Sequence, residues 1–344
     1  MRPSFFHHLH PPSVPARQAR WRYTLGAGGT AVLLVLVLAA TGILELFYYV
    51  PTPEQAALSV QTVAYLVPFG ALIRNLHFWA AQLLVVVSGL HLARVVLTGS
   101  YGPPRRFNYL LGLALFVVSI FMDFTGYVLR WDQGIQWALV VGTNLIKTIP
   151  GAGNSLYTVL TGGTQPGGAT LLRFYSWHIF GLTLGLVVLM VWHLFHVRRD
   201  GGIAVPPAAL RKDHERIPRS ELVRRELLAL LLTGAALLIL SASMPAPIAA
   251  PISKMDEFAV DAQAPWFFLW VQQLLKWGDP FVMGILVPAV VLAGIALIPY
   301  VLPLPLPGEL GRWFPRSNRI AQCAMIAIAL AWLVLTLMGS RPSV

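Results

Sequence analysis

Charge is scarce in this chain: 11% of its 344 residues are Asp, Glu, Lys or Arg, while 56% are hydrophobic. An ordinary soluble domain carries about 25% charged residues, so that class is excluded. Acids are scarcer still, 14 against 25 Lys and Arg, for a net charge of +11. The basic excess is spread over selected loops and forms no basic domain, which reads as membrane topology and leaves no nucleic-acid partner to expect. Cysteine is nearly absent. Cys323 alone, inside an apolar run, excludes an internal disulfide and any Cys-x-x-Cys-His motif.

What is present is a series of long apolar runs, near 25–49, 76–98, 109–129, 175–197, 225–243, 281–302 and 320–338. At about 1.5 Å per helical residue each can cross a bilayer core, so the expected fold is an all-α polytopic membrane protein with about seven spans. Arg17, Arg20 and Arg22 precede the first run, and Arg105 and Arg106 follow the second. A basic stretch from Arg198 to Arg225 follows the fourth, and Arg312, Arg316 and Arg319 precede the seventh. These loops alternate, which predicts a cytoplasmic amino terminus and an outside carboxyl terminus in a bacterial-type cytoplasmic membrane. The opening stretch, with Phe5, Phe6, His7, His8 and His10, has no small-residue cleavage site after a short apolar run, which argues against a removed signal peptide.

The polar stretch containing Pro206, Pro207, Asp213, Glu215 and Pro218 separates four spans from three. It predicts a four-helix domain over 1–205, a cytoplasmic linker over 206–224 and a three-helix domain over 225–344. Two outer loops are long. One, 130–173, is glycine-rich and carries Trp131 and Trp137; the other, 244–280, has several prolines and then Trp266, Phe267, Phe268 and Trp270. Such aromatics mark a membrane interface, and long ordered loops also tend to carry function.

Two of the four spans of the first unit carry paired histidines: His77 and His91, 14 residues apart, and His178 and His193, 15 apart. Each step is about four helical turns, or about 21 to 22 Å along the axis. Both spans run the same way, so His77 is level with His178 and His91 with His193. Paired imidazoles at matched depth are what two stacked, non-covalent bis-histidine haems require. Gly28 and Gly42 in the first span, and Gly112 and Gly126 in the third, repeat at 14 residues and predict a helix face on which a flat macrocycle can lie. Taken singly, each glycine reads as helix packing and each histidine as a satisfied polar group. Four ionisable rings in register inside lipid point instead to function. His196 lies 18 residues after His178 and faces elsewhere. Arg74, Arg94, Arg173 and Arg198 sit near the span ends, where haem propionates would emerge.

The residues Thr41-Gly42, Phe47-Tyr48-Tyr49, Arg74 to His77, His91 with Arg94, Thr125-Gly126-Tyr127, Trp131-Asp132-Gln133 and Arg173 to His178 together resemble cytochrome b of the Rieske/cytochrome b quinol-oxidising complexes. The likeness is closest to the short photosynthetic form, with its four-helix haem subunit and three-helix subunit here fused. It is strong through about residue 205 and weaker beyond. It implies His77 and His178 on an outer haem iron and His91 and His193 on an inner one. It also implies quinone as substrate, a Rieske-type iron–sulfur protein and a cytochrome c or equivalent as partners, and a homodimeric complex in a lipid membrane.

This chain departs from that pattern in three places. Arg130 stands before Trp131 where the family's outer quinol pocket has proline. Ala264-Pro265-Trp266-Phe267 replaces a Pro-Glu-Trp-Tyr motif, so the proton-accepting Glu and the phenol are missing. Gly26 occupies the position of a cysteine that holds an extra haem in the photosynthetic form, which argues against a covalent third haem. The outer-pocket candidates are therefore Asp123, Arg130, Trp131, Pro265 and Trp266. Glu45, Asp256, Glu257 and Asp261 are further candidate acids. Asp132 is expected to cap a helix. Three functions follow: a quinol-oxidising subunit that also reduces quinone near Arg198 and His196, a non-bifurcating transmembrane electron conduit, or a transporter or scaffold, which would make the histidines coincidental.

Overall fold

The computed structural model describes residues 11–210, 215–253, 255 and 263–341. Seven helices among them are long and apolar enough to cross a membrane. The first four are α1 (Ala27–Leu46), α3 (Gly70–Leu97), α4 (Arg106–Leu129) and α7 (Gly168–Arg199). The other three are α8 (Arg219–Ser243), α10 (Val282–Val301) and α11 (Arg319–Gly339). Shorter helices lie at the ends: α2 (Ala56–Tyr65), α5 (Gln133–Lys147), α6 (Gly153–Thr161) and α9 (Leu269–Leu275). The expected all-α membrane fold with seven spans is observed. Side chains such as Leu231, Ile239 and Val301 are about 70% exposed, as helices facing lipid require.

Within the first four spans α1 packs along α3 and α7 along α4, while α3 and α4 join the two pairs. The later spans pack directly on this bundle. Leu34, Ala80, Leu84 and Leu237 knit α8 to α1 and α3. Leu92, Val96, Tyr109, Leu113, Ile298 and Met325 knit α10 and α11 to α3 and α4 at the basic end. There Tyr101 is fully buried, and burial pushes its phenol up to about 12, so it stays a donor to Asn318 Oδ1 at 2.5 Å.

Boundaries shift in two places. The last residues of the expected linker are helical, because Pro218, with φ fixed near −58°, starts α8 and Glu221 then pairs with Arg225 at 2.8 Å one turn on. The linker is also anchored: Ser13–Pro15 pairs antiparallel with Arg216–Pro218, Gln18 Nε2 donates to Ile203 O at 2.8 Å, and Tyr23 donates to Ala204 O at 2.6 Å. The loop over 130–173 is mostly α5 and α6, and the fourth span starts at Gly168, earlier than its apolar run suggests.

The 244–253 segment is laid across the end of the bundle away from the basic loops by backbone hydrogen bonds to side chains of α3. Arg74 donates from Nη1 to Ala246 O at 3.0 Å and from Nη2 to Pro247 O at 2.5 Å. Asn75 donates to Ser241 O and accepts from Ala246 N, both at 2.9 Å, and Trp79 donates to Met244 O at 2.8 Å.

Candidate functional site

Four glycines let four imidazoles into the bundle. A Cβ on Gly42 would sit 3.2 Å from His77 Cε1 and one on Gly28 3.5 Å from His91 Cε1; Gly112 meets His193 at 3.2 Å and Gly126 meets His178 at 2.8 Å. The expectation places a flat ring on the glycine face. Among protein groups the nearest to each glycine is an imidazole edge, tightest at Gly126 and an ordinary contact at Gly28. Across the bundle the rings then meet in pairs, His77 with His178 at 6.4 Å between ring centres and His91 with His193 at 6.5 Å.

The unequal histidine spacings are reconciled by a local change of helix. At about 100° per residue, 14 residues end about 40° short of four turns and 15 end about 60° past them. Over Trp177–Gly181, α7 widens into a π-turn in which Leu182 N donates to Trp177 O. One residue is thereby absorbed, and 15 residues keep the phase of 14. Thr183 Oγ1 donates to the His178 carbonyl at 2.5 Å, supplying a donor where the helical ladder is interrupted.

Hydrogen bonds set the proton on three of the rings. Thr41 Oγ1 donates to Val37 O at 2.7 Å and lies 2.9 Å from His77 Nδ1, so it accepts from that nitrogen. Thr125 Oγ1 donates to Phe121 O at 2.8 Å and accepts from His178 Nδ1 at 3.0 Å in the same way. His193 Nδ1 donates to Asn108 O at 3.1 Å. Each leaves Nε2 with its lone pair free, the arrangement that metal-ligating histidines adopt. His91 Nδ1 is buried without a partner.

Two imidazoles alone are a poor metal site, and among the described residues no group of three or more His, Cys, Asp or Glu comes together. They suit an iron that already has four equatorial nitrogens. With iron–nitrogen bonds of about 2 Å and about 1.2 Å from nitrogen to ring centre, such an iron separates two imidazole centres by about 6.4 Å. Both observed spacings meet that requirement. Residues 14–201 match the family described as Cytochrome b/b6/petB.

The chain belongs to the cytochrome b/b6 family.

Cytochrome b6 of Chlamydomonas reinhardtii is 41% identical over 174 residues, 51% of this chain and 81% of that protein. Cytochrome b6 of Heliobacterium mobile is 39% identical over 192 residues, 56% of this chain and 88% of its own length. The fold continues beyond that region. A chain of a hyperthermophilic respiratory Complex III superimposes with a TM-score of 0.81 over 94% of this cytochrome b and 85% of its own length, at 19% identity.

The four arginines near the span ends behave differently from one another. Arg94, one turn from His91 on α3, donates from Nε to Tyr23 O at 3.0 Å, and its Nη2 is buried and unpartnered, a donor available to a carboxylate. Arg74 is committed to the 244–253 segment. Arg173 donates to Val159 O at 2.9 Å and Ala169 O at 3.1 Å, where it fills the space beside Gly162. Arg198 is exposed.

At the end away from the basic loops, where the 244–253 segment lies, Arg130 and Asp132 form a two-pronged ion pair at 2.7 Å. Asp132 also accepts from Gly134 N at 3.0 Å and Ala249 N at 3.1 Å, so it caps α5 and ties it to the 244–253 segment. Trp131, at φ 47° and 2% exposed, is embedded among Val128, Ile135, Leu139 and Phe174. It is part of the apolar packing at this end. Trp266, in the turn that Pro265 begins, donates from its indole to Gln82 Oε1 at 2.5 Å, and Gln82 Nε2 donates to Asp123 Oδ1 at 2.9 Å. Gln82 escapes a reading of the sequence built on charged residues, although a carboxamide five residues after His77 inside an apolar run is a visible signal. Asp256, Glu257 and Asp261 lie outside the described residues.

The basic end is arranged differently. His196 is buried against Phe107, with ring centres 5.2 Å apart, and Trp192, at 6.1 Å. A cleft of about 440 Å³ opens between Trp21 and α8, lined by Arg20, Arg22, Glu221, Arg224 and Leu228 among others.

Proposed function

We propose that this cytochrome b is the di-haem subunit of a quinol-oxidising bc-type complex, with His77 and His178 holding an outer haem iron and His91 and His193 an inner one. The observation that carries the reading is the pair of imidazole couples at 6.4 and 6.5 Å, each set against a glycine on the neighbouring helix. Bound there, the two b-type haems would supply one-electron transfer between the two membrane faces. The chain's own residues hold and orient. Thr41, Thr125 and the Asn108 carbonyl keep the proton on Nδ1, and Arg94 Nη2 offers a charge-assisted hydrogen bond to a propionate. Arg74, Arg173 and Arg198 are assigned the same electrostatic role at longer range. Glycine at position 26 offers no thiol for a covalent third haem.

Quinol oxidation belongs at the outer end around Asp123, Arg130, Trp131, Pro265 and Trp266. Quinone reduction belongs at the basic end near Arg198, His196 and the arginine-lined cleft. A Rieske-type iron–sulfur protein, a cytochrome c or equivalent and a second copy of the chain complete the assembly, with the amino terminus in the cytoplasm of a bacterial-type membrane. The division at 1–205, 206–224 and 225–344 follows the four-plus-three arrangement of spans. A second reading, a non-bifurcating electron conduit, is favoured by the ion pair that Arg130 makes with Asp132 in a position where proline is usual.

His91→Ala or His193→Ala should remove the inner haem and leave the outer one visible in reduced-minus-oxidised spectra. Retention of both haems in both variants overturns the pairing. Quinol-dependent haem reduction with the partner protein present separates bifurcation from conduction.

A further inference from the structure

The outer end contains a buried carboxyl that the haem geometry leaves unused. Asp123 is 8% exposed on α4, one turn before the glycine that meets His178. Its environment is directional. An indole N–H can only donate, so the Trp266 contact makes Gln82 Oε1 the acceptor and turns Gln82 Nε2 toward Asp123 Oδ1. Oδ1 is therefore occupied as an acceptor. Oδ2 is buried with no hydrogen-bond partner, and among the described residues no cation lies within ion-pair distance. An unsatisfied carboxyl oxygen at membrane depth is costly to keep.

The same contacts address the missing acid in the 264–267 segment. Trp266 reaches from that segment to Gln82, so the place that lacks a Glu is wired to a carboxyl on α4. Glu45 is the competing acid and also has a buried, unpartnered Oε1. It lines a separate cavity of about 160 Å³ with Leu44, Tyr48, Val67 and Ile73, and no described hydrogen bond joins it to the 264–268 segment.

We infer that Asp123 Oδ2 accepts a proton from quinol oxidised at the outer end, and that Gln82, held by Trp266, is the positioning residue that keeps this oxygen free. The inference rests on the quinol-oxidising reading above. One quinol O–H bond breaks and an O–H bond forms on Oδ2; the other proton passes to water at the outer surface. The two electrons leave singly, one to an iron–sulfur centre and one to a b-type haem, and the product is quinone.

The test uses the assembled complex in its membrane, with haem content read by spectrum and quinol-driven haem reduction followed across pH. Asp123→Asn should keep both haems, slow reduction by about 100-fold, within the range of general-base losses, and flatten the pH profile. Asp123→Glu should restore part of the rate. Gln82→Leu, which keeps the carboxyl, should shift the pH profile without altering haem content. Asp123→Asn with an unchanged rate and profile overturns the inference while the quinol-oxidising reading stands. If Asp123→Asn loses haem, Gln82→Leu decides, and an unchanged profile there overturns it. Wild-type complex that carries two haems yet fails to take electrons from quinol overturns both readings.

Discussion

The histidine–glycine contacts make a graded prediction. A methyl group at Gly126 would stand 2.8 Å from His178 Cε1, against an ordinary carbon–carbon contact of about 3.5 Å or more. The imidazole must retreat by about 0.7 Å, while metal–ligand distances tolerate about 0.2 Å. Overpacking of this size costs about 1–3 kcal/mol, which weakens haem retention at this position by about 5- to 150-fold. The corresponding distances are 3.2 Å at Gly42 and Gly112 and 3.5 Å at Gly28, the last an ordinary contact. Single alanine variants should therefore rank by distance. Gly126→Ala loses the outer haem and keeps the inner, Gly42→Ala and Gly112→Ala lose haem partially, each at its own end, and Gly28→Ala keeps both. Haem per chain and the reduced-minus-oxidised spectrum of the purified protein read the outcome. Loss of haem in Gly28→Ala together with full retention in Gly126→Ala would refute the reasoning, because steric contact would then not control occupancy.

Further outcomes follow from the same geometry. Thr41→Val and Thr125→Val remove the acceptors of the two outer Nδ1 protons; the less basic imidazoles should raise the outer haem's midpoint potential in a redox titration and leave the inner one unchanged. Deleting Ile179 from the π-turn should leave both haems in place, since the helix can regularise with His178 and His193 still in phase, whereas deleting Val86 between His77 and His91 should cost a haem; spectra of the two deletions test this. Asp132→Ala removes the α5 cap and the Arg130 pair and should lower stability by about 1–3 kcal/mol, measured as a lower thermal midpoint in detergent.

Most of the membrane architecture is readable from the chain because lipid forces each crossing segment to be long, apolar and helical. Span ends are less readable. Gly168–Ser176 carries polar residues and little hydropathy, yet it continues α7, since its helix is fixed by packing on α4 and by Thr170, whose hydroxyl accepts from Gly167 N at 3.0 Å. The loops over 130–173 and 244–253 likewise look irregular in sequence. Their order comes from Asp132, Arg74 and Asn75, each reaching backbone atoms that composition does not mark.

The sequence alone determined the spans and the register of His77, His91, His178 and His193, since helical periodicity and membrane depth are functions of spacing. Only the tertiary structure decided what those positions meet. The glycines proved to face imidazole edges, a π-turn reconciled steps of 14 and 15, and Gln82 emerged as the link between Trp266 and Asp123. Such facts depend on how closely two helices approach and on which side chains then share one small buried space, and neither is encoded in the order of residues along a single helix.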